Sequence, residues 1–413
     1  MALKNDDQRP HNAFNFNFRI ADTEKLVNFF KIPVAVVYPV SIEGEFDYSE
    51  HTLVVSADAP YLMKGDMIIE NSLAQIKIEK DKAADIYLTT QFPTKKGDMV
   101  IVTGITADDN NLRTEIDWNI EREKPVGGKI GFDVALERNN LDNQLETMVN
   151  IRPSDIRFGE DTWQFSPASV VYRPGYLSVG NFCLQSGEQA IKIDGVSDAD
   201  NIDSEICIAL DSIHLLSIFE TLDINKALIG GVATGVFHAK GIFGPELSLE
   251  CPALHVDSIG YNRCTLGNAD LRANWDNEAK SFHLDADIVG ERNAHSHIYG
   301  DIFPATESLD MHFEADRAKV GFMKPFIDAF ASDIKGYASG YAHLFGTFKY
   351  IDLEGDIYAE DLGLKVDFTN TWYFANDSIK LRPGLIDISN VEVKDIYGHT
   401  ATLNGRVEHT FFK

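Results

Sequence analysis

The chain lacks the cysteine patterns of disulfide-stapled domains and zinc fingers. Its 413 residues contain four cysteines, with no CxxC pair and no histidine at metal-ligand spacing from them. We expect Cys183, Cys207, Cys251 and Cys264 to be small side chains packed in or beside the core. A Cys251–Cys264 disulfide stays open as an alternative.

Long apolar runs are also missing. The longest, residues 32–40, is less than half of the roughly 20 residues that a membrane-spanning helix needs. The first residues, MALKNDDQRPHNAFNF, contain no apolar signal core. The chain is therefore expected to be cytosolic or a piece of a larger secreted or anchored protein. Its end, RVEHTFFK, stops on a strand-like pattern, which favours the piece.

The chain contains few basic residues relative to acidic ones. The chain has 37 of them against 64 acidic residues, a net charge of −27. Nucleic acid and anionic membrane surfaces would repel such a chain, so we expect no nucleic-acid partner. An apolar fraction of 44% is ordinary for a folded protein, and the acidic excess indicates a solvated exterior.

Catalytic motifs are absent too. There is no HExxH, GxSxG, phosphate-binding loop or dinucleotide fingerprint. His295 and His297 would point the same way on a strand, but no acidic or cysteine partner stands near them at a telling spacing. Asp285 and Asp287 resemble a glycosidase pair, yet similar alternation of apolar and charged residues runs through the whole chain. We predict no enzyme, no cofactor and no metal site.

What the sequence does contain is an internal repeat. Residues 162–182, TWQFSPASVVYRPGYLSVGNF, recur 209 positions later as TWYFANDSIKLRPGLIDISNV, residues 371–391. Residues 231–243, GVATGVFHAKGIF, recur 105 positions later as GYASGYAHLFGTF, residues 336–348. Because 105 is about half of 209, the module is about 105 residues long. His238 and His343 recur with this period, and such recurrence favours a structural role for the two histidines over a catalytic one.

These offsets divide the chain into four parts. Residues 1–160 are a diverged β region, residues 161–265 and 266–370 are two repeat modules, and residues 371–413 are the start of a third module. Alternating apolar and polar residues predict that each module is mostly strand. Stretch 211–224, with Asp211 as N-cap, and its copy from Asp316 predict one helix per module. The fold class is all-β, an elongated repeat array.

Local signals predict turns and bulges inside these strands. The Arg-Pro-Gly turns place Gly175 and Gly384 before equivalent strands. In both strands the apolar phase then flips at an asparagine, Asn181 or Asn390. Since a one-residue change of phase swaps faces, we expect a β-bulge or corner at each.

Residues 336–409 resemble the TamB-like translocation and assembly module family, a branch of the AsmA-like proteins. The resemblance depends on GYASG, then LEGDI, then LKVDFTNTWYF, then GHTATLNGRVEH. It implies a long sheet folded lengthwise into an open apolar groove (a β-taco) that crosses the periplasm. It further implies phospholipid transport between the membranes, support of outer-membrane protein assembly and secretion, and an Omp85-type barrel partner. On this resemblance we expect the chain to be an interior segment, between the inner-membrane anchor and the partner-docking domain that family members carry.

The apolar strand phases predict which side chains line such a groove and contact acyl chains. They are Val170, Leu177, Val179, Ile191, Ile193, Ile379, Ile386, Ile388 and Leu403. Two alternatives stay open. One is a β-solenoid adhesin, or a polysaccharide-binding or lyase protein on that scaffold, although solenoid coils repeat every 20 to 30 residues. The other is a spacer whose interior is filled by its own side chains.

Overall fold

The computed structural model describes residues 13–21, 35–65, 67–94, 97–122, 125–138, 144–221, 228–244 and 246–408. The protein is all-β, as predicted, and its strands form one antiparallel sheet of 27 strands. The chain divides into two compact units, Met1–Ser186 and Gly187–Lys413. That division lies inside the predicted module 161–265; in a repeat array, compact units and sequence modules need not coincide.

Strands of the first unit pair mostly with their neighbours along the chain. Pro153 and Pro167 each lie between two short strands, where a residue without an N–H interrupts the ladder. The strands are β1 Ala13–Ile20, β2 Ala35–Val36, β3 Val40–Asp47, β4 Thr52–Lys64, β5 Met67–Ile78, β6 Ala84–Thr94, β7 Gly97–Asp108, β8 Asn111–Ile120, β9 Val126–Arg138, β10 Leu145–Ile151, β11 Ser154–Phe158, β12 Asp161–Phe165, β13 Ala168–Arg173 and β14 Tyr176–Ser186.

The second unit is an antiparallel meander in which each strand pairs with the next. Its strands are β15 Gln189–Asp198, β16 Glu205–His214, β17 Ile229–Lys240, β18 Ser248–Tyr261, β19 Cys264–Asp276, β20 Ser281–Val289, β21 His295–Phe303, β22 Ser308–Lys319, β23 Ala331–Thr347, β24 Tyr350–Val366, β25 Thr371–Arg382, β26 Leu385–Asp395 and β27 Thr400–Glu408.

The sequence period corresponds to a period of six strands in the second unit. Strands β15 to β19 recur as β21 to β25, with bounds displaced by within a few residues of 105. One short helix follows the second strand of each set, α1 at Leu215–Thr221 and α2 at Lys324–Ile327. Single 3₁₀ turns occupy Glu291–Asn293, Pro304–Thr306 and Gly321–Met323.

Both helices begin later than the sequence predicts. Asp211, the expected N-cap, lies in β16 opposite Ala190, and its carboxylate pairs with Lys192 Nζ at 2.5 Å. The strand carrying Asp316 likewise continues to Lys319. Ladder hydrogen bonds and cross-strand pairs therefore outweigh the local helix signal over these residues. The part of the first predicted helix after residue 221 lies outside the described residues.

The two Arg-Pro-Gly turns form tight hairpins. Arg173 pairs with Tyr176, which leaves a two-residue connection with proline first and glycine second. Gly175 has φ 76° there, and Gly384 has φ 67° in the copy. Proline followed by a glycine with positive φ is the combination that a type II turn takes.

All ladders between the described strands are antiparallel. A parallel β-helix pairs its coils in parallel, so the solenoid alternative is wrong as a fold. The buried core consists mainly of small or branched apolar residues on one side of the strands. Ala269 and Ala331 are completely buried, and Ile213 is 2% exposed.

Candidate functional site

An apolar face begins in the first unit at the hairpin of β13 and β14. Val170 lies opposite Val179, and Tyr172 lies opposite Leu177. Because side chains alternate along a strand and direct partners share a face, Val170, Leu177 and Val179 point to the same side. All three are half-buried.

The second unit has such a face from its first strand onward. Ile191 lies opposite Leu210, and Ile193 lies opposite Ile208. These four side chains therefore share one face of β15 and β16. The register continues the face into β17, where Phe237 lies opposite Ile208.

At the C-terminal end of the unit the predicted lining residues also share a face. Ile386 lies opposite Leu381, and Ile379 is two residues before Leu381 on the same strand. Ile388 follows Ile386 by two residues, on the same side.

Leu403 joins this face across a bulge. The ladder between β26 and β27 shifts between Ile388 and Val391, and Leu403 lies opposite Val391. Because the bulge contributes one extra residue, Val391 returns to the side of Ile388. The phase flip noted in the sequence thus keeps one face of the sheet apolar.

Similar bulges recur across the second unit. On five strands, β16, β18, β22, β24 and β26, a non-glycine residue has left-handed backbone, with φ between 49° and 59°, within or beside a register shift. These residues are Ser212, Ser258, Arg317, Asp361 and Asn390. In the first unit Asn181 has the same conformation, φ 58°.

Each of the five bulges is held by a side chain from the next strand. The backbone N–H of the left-handed residue, which the bulge removes from the ladder, donates to an oxygen of a serine, threonine or asparagine. The acceptors, in the order of the bulges, are Thr234 at 3.1 Å, Asn268 at 2.9 Å, Ser339 at 2.9 Å, Asn376 at 2.6 Å and Asn404 at 2.7 Å. We call this row of five bulges and their acceptors the bulge line.

The predicted lining side chains are more open than the most buried residues of the face. Of the nine, eight are half-buried, and Leu403 is 47% exposed. By contrast Ile213 and Val391, which directly follow bulges, are 2% and 4% exposed. The face is therefore closely packed at Ile213 and Val391 and partly open at the predicted lining positions.

The opposite, polar face carries histidines paired with carboxylates. His295 Nε2 lies 3.3 Å from Asp287 Oδ1, and His297 Nε2 lies 3.3 Å from Asp285 Oδ2. The expectation that these histidines lack acidic partners was wrong, because the register of β20 and β21 brings them together. Arg272 donates to Asp285 at 2.9 Å and holds the pKa of that carboxyl below its usual value. The two aspartates thus pair with Arg272 and with the two histidines rather than with each other.

None of the four cysteines is in a disulfide. Cys251 is 1% exposed and lies opposite Ala273, whereas Cys264 lies opposite Tyr261 at the other end of the β18–β19 ladder. Ten residues separate Cys251 from Tyr261 along β18, which is about 30 Å of strand. The Cys251–Cys264 alternative is therefore wrong.

Within the described residues, no helix has the length and apolarity that crossing a bilayer demands. The chain matches no protein-family model, no curated protein and no solved structure.

Proposed function

We propose that the chain is a non-enzymatic scaffold of the translocation and assembly module type, whose sheet folds lengthwise and holds phospholipid acyl chains on its apolar face. The observation that carries the proposal is an apolar face with half-buried lining residues in each unit, together with a bulge line on strands of the second unit that include β26, where bulge and lining residues occur on the same strand.

The bulge line supports the proposed lengthwise fold because bulges bend the strands. A bulge bends its strand and increases the local twist. The bulges lie on alternate strands, on β16 and β18 and again on β22, β24 and β26, and each is bonded to the strand that follows it. We infer that their bends add to a crease that runs across these strands, along the direction in which the sheet grows. Folding along such a crease would bring the two halves of each strand that it crosses towards each other, with the apolar face inside.

The chemistry of the lining fits an acyl chain. Burial is worth about 0.8 kcal/mol for each CH₂ group, and valine, isoleucine and leucine side chains need no partner from the ligand. A phosphate headgroup can stay in water at the open seam, so a charged binding site is not required. The module period then has a purpose, because a conduit must present the same lining along its length.

The family resemblance of residues 336–409 extends the proposal. On that likeness the chain belongs in the periplasm, as part of an inner-membrane-anchored protein that supports outer-membrane protein assembly and secretion. Its partner is then an outer-membrane barrel protein of the Omp85 type.

Photo-crosslinking in cells tests the lipid proposal. A crosslinker at Leu177, Ile386 or Ile388 should capture phospholipid, because these positions lie on the apolar face. Lys192 and Lys380 are the matched controls: each lies beside an apolar lining residue on the same strand but points to the opposite face. Crosslinkers at the controls should capture little lipid.

Three results would contradict the proposal. Equal lipid capture on both faces, or capture of unfolded barrel protein alone at the inner positions, would favour a chaperone-type scaffold. Absence of any capture at the inner positions would favour the spacer filled by its own side chains.

A further inference from the structure

Among the described residues of the second unit, two clusters of potential metal ligands lie at equivalent positions of successive modules. One is Glu205, Cys207 and His238, and the other is Asp310, His312 and His343; in each, the ligand atoms lie within 4.8 Å of one another. Each residue of the second cluster stands 105 positions after its counterpart, since 205, 207 and 238 become 310, 312 and 343.

The strand register builds both clusters in the same way. Two ligands stand at positions i and i+2 of one strand, β16 or β22, and therefore point to the same face. The third comes from the next strand, where His238 lies directly opposite Cys207 and His343 directly opposite His312. Direct partners have Cβ atoms about 4.5–5.5 Å apart, so three ligand atoms converge. The face is the polar one, opposite Ile208 and Phe313.

In the second cluster both histidines direct the same nitrogen at one carboxylate. Asp310 Oδ1 lies 2.7 Å from His343 Nε2 and 3.4 Å from His312 Nε2. Ligands on a tetrahedral metal with bonds of about 2 Å are about 3.3 Å apart. The 2.7 Å contact between His343 and Asp310 must therefore lengthen by about 0.6 Å, and the two imidazoles, stacked with centroids 4.4 Å apart, must tilt towards Asp310.

The other nitrogen of each ring already has a partner of the kind found around metal sites. His343 Nδ1 lies 3.4 Å from Glu354 Oε1, and His312 Nδ1 lies 2.7 Å from the Tyr341 hydroxyl. Such outer partners orient histidine ligands and select the tautomer that leaves the inner nitrogen free to coordinate.

The first cluster replaces one histidine by a thiol. Cys207 Sγ lies 3.5 Å from His238 Nδ1 and 3.6 Å from Glu205 Oε1, and His238 Nδ1 lies 3.5 Å from Glu205 Oε2. Lys240 Nζ also lies 3.4 Å from Glu205 Oε2 and competes with a cation for that carboxylate.

We propose that Asp310, His312 and His343 bind a divalent transition metal of the Zn²⁺ class, and that Glu205, Cys207 and His238 form the equivalent site one module earlier. Nitrogen, sulfur and carboxylate ligands suit such ions better than Mg²⁺ or Ca²⁺, which take oxygen ligands. The metal would be coordinated by two adjacent strands on the polar face. It would therefore hold these strands together without contacting the apolar face. The net charge of −27 raises the local concentration of cations.

Calorimetric titration of chelator-treated, untagged protein with Zn²⁺ tests the proposal. Wild type should bind two ions. A double substitution H312A/H343A should remove one of them, and C207A/H238A the other. Glu354→Gln, which alters only an outer partner, should weaken the second site about 10–100-fold. The matched control is H295A/H297A, a histidine pair on the same face in which each ring faces one aspartate; it should still bind two ions.

Co²⁺ distinguishes the two sites by spectroscopy. The thiolate of Cys207 should give a sulfur-to-cobalt charge-transfer band that C207S abolishes, whereas H343A leaves it unchanged. Circular dichroism of each variant verifies that the sheet is intact. Absence of saturable Zn²⁺ binding by the wild type, or equal loss in the H295A/H297A control, would overturn the proposal.

Discussion

Replacing Ile213 and Ile388 separately by alanine measures how far the apolar face is filled by the protein itself. Ile213 is 2% exposed, lies opposite Ala233 and directly follows the bulge at Ser212. Ile388 is half-buried and directly precedes the bulge of its own strand. Truncating a fully buried isoleucine costs about 2–5 kcal/mol, because a cavity remains. At the half-buried position only part of the transfer free energy is lost, so we expect about 1 kcal/mol.

Urea unfolding of lipid-depleted protein, followed by circular dichroism, gives the free energy of unfolding for each variant. The residue type is the same at both positions, so the comparison isolates the local packing. If Ile388→Ala destabilises the protein as much as Ile213→Ala does, the face at Ile388 is packed by the protein's own side chains, and the reasoning that leads to an open groove fails.

Much of the fold follows from local sequence signals. The alternation of apolar and polar residues predicts the all-β class, and Pro174–Gly175 predicts the hairpin turn because both residues restrict the backbone in a known way. The change of apolar phase at Asn390 coincides with the register shift of β26 and β27. These features depend on a few neighbouring residues, so the sequence contains them directly.

The helix boundaries could not be predicted in the same way. Residues 211–224 carry an apolar stripe with helical spacing, but the first part of that stretch pairs with β15 and β17. Whether a residue extends a strand or begins a helix depends on a partner strand that is distant in sequence, and a local pattern does not include that partner.

The cross-strand polar contacts could not be predicted from the sequence for the same reason. The oxygen that caps the bulge at Arg317 belongs to Ser339, 22 residues later, and the carboxylates that contact His343 come from β22 and β24. The sequence did show that His238 and His343 recur with the period. Only the register, however, shows that Cys207 and His312 lie directly opposite them.

Substitutions at Asn404 and at Gly300 test the bulge line and the close approach of β21 and β22 by the same unfolding assay. Asn404→Ala removes the oxygen that accepts the Asn390 N–H at 2.7 Å and should cost about 1 kcal/mol, whereas Asn404→Asp, which keeps an acceptor, should cost less. Gly300 has φ 144°, and a Cβ there would meet the Asp310 carbonyl oxygen and lie 2.8 Å from the Met311 Cα. Gly300→Ala must therefore displace β22 or change its own backbone, at a cost of about 1–3 kcal/mol. Gly104→Ala is the matched control, because that glycine has no left-handed backbone and open space around its Cβ position; it should be neutral or slightly stabilising through the unfolded chain. Equal effects of the two glycine substitutions would show that close approach of the strands is not the reason for a glycine at position 300.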